Sequence, residues 1–374
     1  MENRAFLFVN SALVVGCISM ALVFLVLPLP PHKGLNKYRI SLRFLAGAYL
    51  TLAFLETIVM VFELNEVNFI GIRTLTIASL QASLFTFTLI TLINPTFITR
   101  HYLYKQLMPI LFFVILYIFV AANWGSPKIV TFPELKLLAW HPAIVVRESF
   151  TVYYVFWLIY LVRLFNQQTR KYQEKIDNYF ADSTSLRLPW VQYCFYAALT
   201  VGVLALLSCF MFTLQMLLFY TVTYTIFYLV FALYYIQYSR TFIYIEPAIF
   251  PPKNIKEEFQ KINKRLMWTE LKTLIIADKY YLKTGVNIED MAHFLKIGRT
   301  SLSVFINKEE GMNFNAWINF LRIEEAKVMF LKYPDYTIIE ISEMVGYSES
   351  SNFSRQFKAI TKESPSCWRQ THKS

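Results

Sequence analysis

The sequence predicts an all-α protein: a polytopic bundle of seven transmembrane helices, followed by a cytoplasmic domain made of two helix-turn-helix units in tandem. Three observations predict it. The chain has 374 residues and is 56% hydrophobic, which is too apolar for a soluble protein of this size. Seven of its segments are long enough to span a bilayer, which takes about 20 apolar residues. Its last quarter repeats one short pattern twice: a helix, a tight turn and a second helix. The expected boundaries are 1–236 for the membrane bundle, 237–267 for a linker and 268–374 for the C-terminal domain.

The spans fall near 5–30, 40–62, 69–93, 106–122, 143–165, 190–211 and 215–236. The first is not a signal peptide. Its apolar run is too long, and Leu27-Pro28-Leu29-Pro30-Pro31 is not a small-residue cleavage site. Positive charge orients the set. The connection 31–39 holds Lys33, Lys37 and Arg39, and Arg43 lies just inside the next span. The connection 94–105 holds Arg100 and Lys105, and 163–189 holds Arg163, Arg170, Lys171, Lys175 and Arg187. The alternate connections are poorer. Residues 63–68 are acidic through Glu63 and Glu66, 123–142 has only Lys128 and Lys136, and 212–214 has no charge. The expected topology is therefore N-terminus outside and C-terminus in the cytoplasm. Trp124, Trp140 and Trp190 sit at span ends, where interfacial anchors belong.

The net charge of +11 divides into +7 for residues 1–236 (16 basic, 9 acidic) and +4 for 237–374 (20 basic, 16 acidic). Most of the excess is the orientation signal. The remainder is compatible with phosphate binding but does not alone point to it. Cys17, Cys194 and Cys209 fall in spans and Cys367 in the C-terminal domain, so no disulfide framework is expected. In the linker, Glu246-Pro247 and Pro251-Pro252 are expected to break helix, and Ile255 to about Met267 to re-form one.

In the C-terminal domain the second unit is the sharper. Thr337 and Glu340 have capping-box spacing. Ile338, Ile341 and Val345 recur at helical spacing, and Gly346 permits the turn. A second helix follows from Ser348 with Phe353, Phe357 and Ile360 on its apolar face, and Pro365 ends it nearby. In the first unit Asn287 is the N-cap. Ile288, Met291, Ala292 and Leu295 form the buried face, and Ile297-Gly298 the turn. Leu302, Phe305 and Ile306 face inward from a helix that starts at Arg299. Between the units, Asn315 to about Tyr333 reads as one helix with Ile318, Leu321, Val328 and Leu331 on one side. About 19 residues at 1.5 Å each give roughly 28 Å, close to one DNA turn of about 34 Å. Two recognition helices on such a spacer suit successive major grooves.

The run Gly311-Met312-Asn313-Phe314, then Leu321-Arg322-Ile323-Glu324-Glu325-Ala326-Lys327, then Val345-Gly346-Tyr347 and Asn352-Phe353-Ser354-Arg355-Gln356-Phe357-Lys358, with Ser364-Pro365-Ser366 and Arg369, resembles the AraC/XylS family of bacterial transcription regulators. The resemblance covers roughly residues 268–372. Ser342 stands where the family usually has Ala, Tyr347 where it has Phe, and Lys362 where it has Gly. Val304 occupies a recognition-helix position where many members carry a basic or polar reader. The resemblance implies double-stranded DNA as partner. It also implies Arg299, Thr300 and Ser303 of the first unit and Ser350, Ser351, Asn352 and Arg355 of the second as the residues that meet it. Arg suits guanine and Asn suits adenine by bidentate geometry.

Four intramembrane charges are candidates for a signal pocket: Glu56, Arg73, Arg147 and Glu148, all at similar depth in the outer leaflet. The plainer reading is a Glu56–Arg73 pair for stability and snorkelling of Arg147 and Glu148. Tyr220, Tyr224 and Tyr228 recur at i, i+4 and i+8 on the last span, with Thr221 and Thr225 alongside, and packing is the default reading. The longest outer connection is about 20 residues, so a signal must be small, lipidic or carried by a partner protein. No catalytic constellation, metal-ligand spacing or phosphate-binding Gly-rich loop is present, so neither an enzyme nor a cofactor is expected. The expected function is a membrane-embedded, sequence-specific transcription regulator that couples a membrane or extracytoplasmic signal to DNA binding. A homodimer fits two-fold DNA sites. The rival readings are a transporter or channel with a regulatory helix-turn-helix domain, and a cytoplasmic domain that binds protein rather than DNA.

Overall fold

A computed structural model describes residues 2–29, 35–61, 70–94, 96–129, 132–183, 186–210, 214–249 and 264–372. Among these residues the ordered elements are helical, apart from one isolated antiparallel bridge between Phe180 and Asn287. The chain divides into two compact units. The first comprises Met1–Arg170 and Leu188–Tyr244, and the second Lys171–Arg187 and Ile245–Ser374.

The first unit is built from α1 (Glu2–Val26), α2 (Leu35–Val61), α3 (Ile72–Ile93), α4 (Arg100–Trp124), the short α5 (Phe132–Leu137), most of α6 (Pro142–Asp177), α7 (Pro189–Ser208) and α8 (Leu214–Gln237), and it takes in the start of α9 (Ser239–Ile249). Seven of these helices are long and apolar enough to cross a membrane, and they match the seven expected segments to within a few residues at most ends. The acidic connection 63–68 and residues 211–213 lie outside the described residues, as do Lys33, Pro30 and Pro31.

The α3 helix is the most enclosed of the seven. It packs on α2, α4 and α7 and buries Leu75, Ala78, Phe85, Leu89, Ile90 and Leu92. Its hydroxyls also face protein: Ser83 accepts a 2.9 Å hydrogen bond from Trp157 of α6. Hydroxyls and rings fasten the rest. Tyr49 of α2 donates to the Tyr228 carbonyl of α8 at 2.6 Å, and Tyr154 of α6 donates to the Gly202 carbonyl at 3.0 Å. A Cβ at Gly202 would lie 3.1 Å from the Tyr154 hydroxyl and would press on that ring. By contrast α4 turns Met108, Leu111, Phe112, Ile115, Ile118 and Phe119 outward. In water such a face is costly, whereas in lipid it is matched.

Two linker expectations change. Glu246-Pro247 does not end a helix: α9 runs through both to Ile249. A proline this close to a C-terminus removes one ladder bond rather than several. Pro251-Pro252 and most of the expected Ile255–Met267 helix lie outside the described residues, and α10 (Lys264–Asp278) carries the end of it. The α6 helix also runs further than its span requires, 36 residues in all, and its last residues belong to the second unit.

That second unit holds α10, a 3-10 turn (Tyr280–Leu282), α11 (Ile288–Phe294), α12 (Arg299–Phe305) with a π-helical turn after it, α13 (Phe314–Lys332), α14 (Ile338–Met344), α15 (Ser350–Thr361) and α16 (Pro365–Thr371). Trp268 of α10 packs on Phe305 and Trp317 and donates to Glu310 at 2.8 Å. The second core joins Ile323, Ala326 and Phe330 of α13 to Ile341, Val345, Tyr347, Phe353 and Phe357. The buried face of α13 therefore differs from the expected one. Ile318 is buried, but Val328 and Leu331 are each 56% exposed, while Trp317, Arg322, Ile323, Ala326 and Phe330 point inward. The helix is enclosed on a wide face because α10, the 3-10 turn and residues 178–183 pack on it as well as the second helix-turn-helix unit, and a one-stripe pattern does not anticipate that.

Candidate DNA interface

The second unit's helix pair starts at a satisfied cap. Thr337 Oγ1 accepts from the Glu340 N–H at 3.1 Å, and Glu340 Oε2 accepts from the Thr337 N–H at 2.6 Å. These bonds hold the Glu340 carboxyl below the usual carboxylate range. The turn to α15 uses Gly346 at φ +87°, and a Cβ there would run into the Leu282 backbone carbonyl. This fixes α15 with Phe353 and Phe357 in the core. Ser351, Arg355 and Lys358 lie exposed on the opposite face, and Ser350 is half-buried.

Asn352 departs from the expectation. Its side chain is 4% exposed, and its Oδ1 accepts a 2.6 Å bond from Arg355 Nη2. Its buried amide steadies the Arg355 guanidinium instead of standing free in solvent. The cause is helical spacing: three residues on puts the guanidinium over the amide. The three departures from the family pattern each have a structural account. The Ser342 hydroxyl donates to the Ile339 carbonyl, Tyr347 donates to Asn319 Oδ1, and Lys362 takes the left-handed C-cap at φ +69°.

In the first unit Asn287 Oδ1 accepts from the Glu289 and Asp290 N–H groups at 3.0 and 2.9 Å. The turn falls one or two residues earlier than expected. Lys296 takes φ +55°, while Gly298 is extended at φ −71°. From α12, Thr300 and Val304 are exposed and Ser303 is half-buried, its carbonyl and hydroxyl both accepting from Asn307 Nδ2. Arg299 is not simply solvated. Its guanidinium lies 4.5 Å from the centre of the Tyr179 ring and is attracted by Glu289. The two recognition helices are joined by the 19 residues of α13.

Sequence reasoning passed over exposed Lys296, just before α12, and exposed Lys358, on α15, both of a chemistry that suits phosphate. It also passed over Asn315, Asn319 and Arg322. These polar groups recur at i, i+4 and i+7, and that spacing was the available signal: all three are buried on one side of α13. Arg322 Nε and Nη2 donate to the Tyr281 and Lys283 carbonyls, both at 2.8 Å.

The four charges of the first unit fall into two places. Glu56 and Arg73 line one small cavity of about 30 Å3 with Asn10, Thr221, Tyr220 and Tyr224. There Glu56 Oε1 accepts from Tyr224 at 3.1 Å. Arg147 donates instead to Tyr117 at 2.8 Å and to Ser126 at 2.5 Å, and half-buried Glu148 follows it on α6. Tyr228, the third of the tyrosine series, donates to Gln81 at 3.2 Å, so this stripe faces the bundle.

Residues 291–371 match a family model described as a helix-turn-helix domain. Over 90 residues the chain is 29% identical to the regulatory protein PocR of Salmonella typhimurium, covering 24% of this chain and 29% of that protein. It is 32% identical over 88 residues to the raffinose operon transcriptional regulatory protein RafR of Pediococcus pentosaceus, covering 24% of this chain and 31% of that protein. Among solved structures, the C-terminal domain of AraT, a response regulator from Geobacillus stearothermophilus, matches at 29% identity over 29% of this chain and 87% of that chain, with a TM-score of 0.27. The chain spans about a third of the length of these two curated relatives. Its C-terminal region is a helix-turn-helix domain, and that region is similar to part of these regulatory proteins.

Proposed function

We propose that the chain is a transcription regulator embedded in the bacterial cytoplasmic membrane. The seven apolar helices span the bilayer with the N-terminus outside. The tandem helix-turn-helix domain binds duplex DNA from the cytoplasmic side, and a signal met at the membrane changes that binding. The observation that carries this reading is the presence, in one chain, of seven span-length apolar helices and a helix-turn-helix domain. The alternation of basic connections supports the orientation. Arg355, Ser351, Ser350, Thr300, Ser303 and Arg299 meet the duplex, with Lys296 and Lys358 on phosphates. Glu56 and Arg73 line the pocket that takes a small polar signal. A pair of protomers occupies a two-fold site.

The test uses full-length protein in nanodiscs, titrated with promoter fragments from the source genome at several salt concentrations. The reading predicts binding that weakens steeply as salt rises, because phosphate contacts release counterions. No binding at low salt to any fragment would overturn it in favour of a protein-binding domain. Labelling of single introduced cysteines from either side of sealed membranes tests the orientation separately.

A further inference from the structure

The second unit contains a piece of chain that its sequence boundary excludes. Residues 178–183 follow α6 and lie against the first helix-turn-helix unit and α13. The Ile288 N–H donates to the Tyr179 carbonyl at 2.8 Å, and the Ala181 N–H donates to the Val286 carbonyl at 3.1 Å, on either side of the Phe180–Asn287 bridge. Asn315 Nδ2 donates to the Ala181 carbonyl at 2.6 Å and reaches the Phe180 carbonyl and Ser183 hydroxyl. Asn319 Nδ2 adds a 3.0 Å bond to the Ala181 carbonyl, and its Oδ1 accepts from Tyr347 in the turn of the second unit at 2.6 Å. The Asp182 carboxylate attracts Arg322. Tyr179, Phe180, Ala181 and Ser183 are all buried. The chain on either side of the segment is tied together by Tyr172 donating to the Leu186 carbonyl at 2.8 Å and by the 3.2 Å Arg187–Asp177 pair.

Its contact with the recognition helix is the informative one. Tyr179 donates to Glu289 at 2.5 Å and places its ring under the Arg299 guanidinium. Burial and the Glu289 carboxylate push the Tyr179 hydroxyl well up, so it stays a neutral donor. Arg299 is thus committed to an aromatic face and an acidic neighbour, and it must leave both to form a bidentate contact with a guanine edge.

We infer that residues 178–183 are a tethered ligand of the tandem helix-turn-helix unit, and that they compete with DNA for Arg299. This rests on the DNA-binding reading above. While the segment is seated, the first unit is the weaker DNA contact. When it withdraws, Arg299 is released, Asn315 loses its bonds to residues 180–183, and Asn319, which still holds Tyr347, loses its bond to the Ala181 carbonyl, so both helix-turn-helix units respond. The segment follows directly on α6, the fifth of the span-length helices, so that helix is the route by which a change in the spans reaches the DNA-binding unit.

The test is a reversible lock. Phe180 and Asn287 are the non-hydrogen-bonded pair of an antiparallel bridge, where Cα atoms lie about 4.5 Å apart, within disulfide reach. Full-length Phe180→Cys/Asn287→Cys protein in nanodiscs is titrated with promoter duplex before and after reduction. The expected result is that the disulfide forms, that the oxidised protein binds more weakly, and that reduction restores affinity. Equal affinity in the two states overturns the inference, as does failure of the pair to oxidise. Should the double variant not fold, Tyr179→Ala replaces it. Its affinity should rise roughly 3- to 30-fold, the range of a desolvated cation–π contact, and Arg299→Ala added to it should remove the gain. An unchanged or lowered affinity for Tyr179→Ala overturns the inference. Wild-type protein that binds no duplex at all signals failure of the DNA-binding reading instead.

Discussion

Single residues carry two sharp expectations. Lys362 sits at φ +69°, a conformation that costs a side-chain-bearing residue about 1–2 kcal/mol. Lys362→Gly should therefore raise the stability of the second helix-turn-helix unit by about 1 kcal/mol, read as an upward shift in its thermal midpoint. A fall would mean that the Lys362 bond to the Ala359 carbonyl outweighs the backbone term. Arg355 is the exposed arginine of α15, steadied by Asn352. Arg355→Ala should cost about 1–3 kcal/mol in DNA affinity and relax preference at one base pair. Asn352→Ala should follow the same base pair more weakly, because it acts through Arg355. A base-substitution binding series checks both. If the two variants relax different base pairs, Asn352 reads DNA on its own account.

At the scale of elements, local pattern was legible and shared surfaces were not. The capping box at Thr337, the Asn287 cap and the Gly346 turn follow from short-range chemistry, and each has its expected partner or φ. Gly346→Ala should cost about 2 kcal/mol or more, since it adds strain at φ +87° and a clash with a carbonyl. Chemical denaturation of the variant measures this directly. The first turn was misplaced because Lys296 rather than Gly298 takes the left-handed conformation, a choice no glycine marks. The seven long apolar helices were legible because length and apolarity mark them. The buried side of α13 and the seat of residues 178–183 were not. Both depend on segments far apart in the chain, and the Asn315/Asn319/Arg322 spacing gained its meaning only from what lies opposite.

For the whole molecule, the proposed function couples charge in the spans to output at the DNA. Glu56 and Arg73 line one cavity and attract one another. If they serve stability alone, Glu56→Gln should reduce the amount of folded protein, and the exchange Glu56→Arg with Arg73→Glu should restore both amount and reporter output. If they receive a signal, the single change should leave abundance near normal and fix the output, and the exchange should not restore response. Membrane abundance measured beside reporter activity separates the two. The central claim, that a membrane-held protein reads DNA, is tested most directly by crosslinking DNA in living cells and recovering it with the full-length protein from washed membranes. The account predicts enrichment of a small set of promoter fragments that is lost in Arg355→Ala at equal protein abundance. Recovery of no fragment above the untagged background, or of the same fragments with Arg355→Ala, would contradict it.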